Sequence, residues 1–142
     1  MNPLRLDLAP AARPASNPAP ASQDVAFLNH LRFTAMGCRV KPRTDLFKAC
    51  ALLHADRTTA REAYSDALMR CLNDALGVRV VMLSPGEAER TFDEDWLISL
   101  GRACARRDEA SIAFLLNSRV ERENRRMIRF LVTRIAECFG LN

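Results

Sequence analysis

The chain has 142 residues, 49% of them hydrophobic and 27% charged, with a formal net charge of +4 and a pI near 9.1. That length holds one domain with a single core, and the composition is that of an ordinary soluble globular chain, which excludes wholesale disorder and a polybasic tail protein. No apolar run approaches the roughly twenty residues needed to span a bilayer, and no continuous apolar segment marks a secretory signal, so neither a membrane protein nor classical export is expected.

Five of the seven prolines fall in residues 1–22, MNPLRLDLAPAARPASNPAPAS. Proline fixes φ and removes a backbone donor, so this segment is expected to be a disordered arm preceding an all-helical domain over 23–142. Within the arm, Leu4, Leu6 and Leu8 alternate as they would on one side of a strand, a pattern able to add to a sheet edge of a partner. A proline-rich arm with a single acid, Asp7, also has the composition of an export or transit signal.

From Asp24, Val25, Leu28 and Leu31 recur at helical spacing until Gly37, which predicts the first helix. Pro42 forbids its continuation, and Thr44 can cap a second helix carrying Leu46, Phe47, Cys50 and Leu53. Thr59 and Glu62 have capping-box spacing ahead of a long helix with Tyr64, Leu68, Cys71, Leu72 and Leu76 on one face and Gly77 at its end. Val78 to Leu83, VRVVML, is the one β-branched stretch and is closed by SPGE. One strand makes no sheet, so 78–83 is read as a short extended connector or half of a two-stranded ribbon.

Thr91 and Glu94 form a second capping box, with Asp93, Glu94 and Asp95 in a first turn where the helix dipole favours acids. Trp96, Leu97, Leu100 and Cys104 then face inward, and a short break leads to Ile112, Leu115 and Leu116, giving a helical hairpin over 93–117. A last helix over 120–139 ends at Gly140. The fold class is therefore all-α: a small single-domain bundle of five or six helices with one short extended segment.

The chemistry-bearing residues are sparse. The five cysteines stand singly with no CxxC, which suits reduced thiols in a cytosolic compartment and core packing rather than a disulfide or zinc framework. Cys50 and His54 share a helical face, but a metal site needs further ligands, and the other histidine, His30, has no partner at ligand spacing. No GxSxG, phosphate-binding glycine loop, HExxH or dinucleotide fingerprint occurs, and the paired carboxylates sit at helix surfaces or starts. No enzyme, cofactor or metal is expected.

What stands out is Ser118 to Phe139, with six arginines against three glutamates: a net +3 of the chain's +4. On a helical wheel Ile128, Leu131, Val132, Ile135 and Phe139 take one side, while Arg119, Arg122, Arg126 and Arg129 form a separate stripe with Phe130 beside Arg126. Glutamates at spacings of three and four answer Arg119, Arg125 and Arg126 within the helix and leave Arg122 and Arg129 without one. Arginine with aromatic is interface chemistry, so the expected function is a small, non-catalytic, cytoplasmic adaptor or regulator, bacterial in character, that grips an acidic protein surface through these five residues. The alternative is a nucleic-acid-binding regulator using the same stripe. A second alternative is a secreted effector exported by its arm. A helix-turn-helix is disfavoured, because no turn glycine joins the helices around His54.

Overall fold

The computed structural model describes residues 22–38 and 57–141. Its helices are α1 (Ser22–Cys38), α2 (Arg57–Leu76), α3 (Phe92–Arg106), α4 (Glu109–Arg119) and α5 (Arg122–Phe139). The fold is a small all-α bundle, and the described residues contain no strand. The arm up to residue 21, the helix expected after Thr44 and the Cys50–His54 pair lie outside the described residues. Ser22, the last residue assigned to the arm, already belongs to α1.

α2 packs most extensively on α5, which also rests on α3, while α1 lies across α2. Their shared interior is built from Phe27, Leu31, Leu68, Leu72, Leu97, Leu100, Ile128, Leu131 and Ile135, all fully buried. Each such side chain contributes about 2 kcal/mol of transfer free energy, enough to outweigh weak local preferences. Gly101 permits the closest approach in this core, since a Cβ there would meet Leu141 Cδ1 and Phe27 Cζ, each at 3.0 Å.

The helix ends follow the local chemistry with two exceptions. Thr91 and Glu94 form the reciprocal box, with Glu94 N donating to Thr91 Oγ1 and Thr91 N donating to Glu94 Oε1, both at 3.0 Å. Gly140 closes α5 in a left-handed turn, and the Leu141 amide donates to Ala136 O, which turns Leu141 back into the core. Gly77, also at positive φ, ends α2. The exceptions are Thr59 and Gly37: α2 begins at Arg57, so the threonine lies in the first turn and is not an N-cap, and α1 runs through Gly37 to Cys38 instead of ending at it.

Residues 77–91 form an irregular connector from α2 to α3. Among the described residues no segment pairs with it, and residues 39–56 lie outside them. Its backbone is satisfied by helix side chains instead. Asn73 Oδ1 accepts from Val80 N, Asp93 Oδ2 from Val81 N, Glu94 Oε2 from Leu83 N, and Asn29 Oδ1 from Gly86 N.

At the centre of this arrangement Arg32, 1% exposed, meets Glu94, which is fully buried. Two parallel bonds of 2.8 and 3.0 Å join them, and the same guanidinium donates to the carbonyls of Ser84, Glu87 and Glu89. Desolvation pushes the Glu94 carboxyl up, but the bonds it accepts from Arg32, Leu83 N and Thr91 N outweigh that and hold its pKa below the ordinary value. The acid expected to complete the capping box is also the anchor of the connector.

Candidate functional site

The basic stripe splits in two. Val120 is extended, with φ −106° and ψ 133°, and closes α4 at Arg119 before α5 starts at Arg122. Arg119 therefore does not share a helix with Arg122, Arg126 and Arg129, and the expected Arg119–Glu123 pairing within one helix does not exist. It clamps α4 to α3 instead: Nη2 lies 2.7 Å from Asp93 Oδ1, and the guanidinium stacks 5.1 Å from the Phe92 ring and 5.2 Å from that of Trp96. With its side chain only 17% exposed, Arg119 serves the fold.

Arg129 is likewise answered from outside its helix. Its two terminal nitrogens reach the two oxygens of Glu109 at the start of α4, at 2.9 and 2.6 Å. That bond holds the Glu109 carboxyl below its ordinary pKa. Arg134 pairs with Glu137 one turn on, and Arg125 donates through Nε to Val120 O at 2.8 Å.

Two arginines are left. Among the described residues no ion pair joins Arg122 or Arg126, and the Glu123–Arg126 pairing that the spacing suggests is absent. Both are exposed. Phe130 stands on the same outward face, 40% exposed, its ring edge-on to Tyr64 at 5.7 Å. The buried face predicted for this helix is the observed one, with Ile128, Leu131, Val132 and Ile135 inside and Phe139 half-buried against Phe27 and His30.

The start of α5 is electrostatically unfavourable. A helix N-terminus carries partial positive charge and prefers acids; Glu121 at the N-cap and Glu123 in the first turn suit it, but Arg122 at the first helical position with Arg125 and Arg126 within a turn and a half outnumber them. Glu121, the N-cap residue, makes no side-chain capping bond. The candidate site is thus a cationic helix start, with Arg122 and Arg126 bonded to no acid of the described fold and Phe130 one turn further along.

Two other groupings of reactive side chains occur away from α5. His30 Nε2 lies 2.8 Å from Ser65 Oγ, a contact that sequence spacing did not suggest. Ser65 is fully buried, which keeps a substrate from its hydroxyl, and burial with the nearby Arg61 lowers the His30 pKa despite Glu62. The contact is a satisfied internal bond between α1 and α2. Among the described residues no cluster of histidine, cysteine and carboxylate could hold a metal ion, and Cys71, Cys104 and Cys138 carry free thiols.

No described helix is long and apolar enough to cross a membrane. No protein-family model matches the chain, and neither a curated protein nor a solved structure is significantly similar to it.

Proposed function

We propose that the chain is a small, non-catalytic, cytoplasmic adaptor or regulator that binds an acidic surface of another protein through the outward face of α5, with Arg122 and Arg126 as the cations and Phe130 as the apolar anchor. The observation that carries this reading is the cationic start of α5. Arginines placed against the helix dipole, with no acid bonded to them in the described fold, are a local cost whose return is an anionic partner. Phe130 beside them supplies area that becomes dry on binding, and arginine with aromatic is the pairing enriched where interfaces draw their energy. Arg119 and Arg129, engaged with Asp93 and Glu109, are assigned to the fold.

A nucleic acid is the alternative occupant. Phosphate binding draws on several unpaired cations, and the acids answering Arg119, Arg129 and Arg134 reduce that number, so the protein partner is preferred. Both readings are tested together. Crosslinked partners of the wild-type chain are compared with those of the triple variant R122E/R126E/F130A, and mixed-sequence duplex DNA is titrated at about 50 mM salt. Loss of one protein partner with the triple variant and no DNA affinity supports the proposal. A partner captured equally by the variant removes this face, and salt-sensitive DNA binding that disappears with the variant replaces the protein by a nucleic acid.

A further inference from the structure

A second surface shares no residue with the α5 face. α3 and α4 run as a hairpin whose outer side is a furrow of about 410 Å³. Its lining alternates small residues with two kinds of wall. Ser99, Ala103 and Ala110 keep the floor low, Phe114 rises from α4, and Arg102 and Arg106 rise from α3.

Three features together point outward. Phe114 is 71% exposed, among the most exposed large apolar side chains of the protein, although it sits in the middle of a helix whose Ile112 and Leu116 are buried. The arginines stand four residues apart on one helical face, a like-charge arrangement eased by Asp24 beside Arg102 and by the Asp108 carboxylate near Arg106. Arg102 is shared with Asp24 of α1 at 3.4 Å, whereas among the described residues no ion pair joins Arg106. The furrow lining contains two guanidinium groups and no carboxylate.

We propose that the α3–α4 furrow is a docking groove for an acidic amphipathic helix of a partner protein, which would seat an aliphatic side chain against Phe114 and Ala110 and set a carboxylate against Arg106. The shape is that of the seat for a third helix on a helical hairpin, and the charge fixes the sign of the occupant. Arg102 and Arg106 flank one side only, so a helix with acids along one edge of its apolar stripe is the fitting ligand. The groove does not depend on the α5 proposal, and the two can fail separately.

The probe is a fluorescein-labelled amphipathic peptide of leucine and glutamate, with a twin in which every glutamate is lysine. Fluorescence anisotropy should saturate with the glutamate peptide alone. Phe114→Ala and Arg106→Glu should each weaken it about tenfold or more, as truncating an anchor does, while Val78→Ala, at an exposed position outside both surfaces, leaves it unchanged. Both residues are solvent-facing, and far-ultraviolet dichroism confirms that the variants fold. Amide shifts on titration should gather at Ser99, Ala103, Ala110 and Leu115. Absence of saturation, equal binding of the two peptides, indifference to Phe114→Ala, or shifts gathered on α5 would each overturn the assignment.

Discussion

Changing Glu94 to glutamine should be among the most damaging single-atom exchanges in this protein. Oε1 accepts from Arg32 Nη2 and Thr91 N, and Oε2 accepts from Arg32 Nε and Leu83 N. Every contact is a donor, so the amide nitrogen of glutamine faces two N–H groups whichever way it is turned. Arg32, 1% exposed, would keep its charge with no carboxylate bonded to it. Breaking a buried pair from one side costs about 3–5 kcal/mol. With an m-value of about 2 kcal/mol per molar urea, the unfolding midpoint should fall by about 1.5–2.5 M. Trp96, the sole tryptophan, is buried with Nε1 donating to Leu115 O, and its fluorescence reports the transition directly.

The double variant R32M/E94Q separates the charge from the architecture. Removing the guanidinium relieves the clash, yet Leu83 N and Thr91 N are left to share one amide oxygen, and the carbonyls of Ser84, Glu87 and Glu89 lose their donor. Stability should therefore return only in part, with a coupling of about 2 kcal/mol in the double-mutant cycle. A midpoint shift below about 0.5 M for Glu94→Gln, or a double variant as stable as wild type, would refute the view that this pair pins the connector.

Four further outcomes are expected. Acidification should weaken the fold through His30, whose pKa is lowered below 6.5: stability from the neutral ring is complete above that value and is lost as pH falls through the folded-state pKa. Urea midpoints at successive pH values should slope less in His30→Gln, and an unchanged slope would clear His30. Arg107, the one described non-glycine residue at positive φ (57°), closes α3 in a left-handed turn, so Arg107→Gly should stabilise by up to about 1 kcal/mol in thermal unfolding. Arg129→Ala should cost under about 1 kcal/mol despite its two short bonds, because both partners are solvent-exposed; a larger loss would give the pair a structural weight its exposure denies. Arg122→Glu should raise stability by about 0.5 kcal/mol, since an acid suits the first helical position; destabilisation would show that Arg122 serves the fold rather than a partner.

Much of the fold was legible because it depends on neighbours in the chain. The 3.6-residue spacing of Ile128, Leu131, Val132 and Ile135, the Thr91–Glu94 box and the closing Gly77 and Gly140 are local patterns, and each recurs in the structure. The candidate site was legible only in part, for a physical reason visible at Arg129. Counting acids three and four residues away finds partners on one helix, but a guanidinium reaches across to whichever helix packs beside it, here Glu109, twenty residues earlier. Arg119 shows the same limit, because a single extended residue, Val120, moved it to another helix and turned it inward.

By itself the sequence determined the helical class, most helix ends, the buried face of α5 and the presence of a basic segment, since backbone propensity, capping and hydrophobic period are written in adjacent residues. Tertiary structure alone decided that Arg119 and Arg129 meet acids of other helices, made Glu94 the holdfast of the connector and left Phe114 and Phe130 exposed on separate faces. Those outcomes depend on which helices pack side by side, and a charge or a ring is spent or left available according to what lies across that contact.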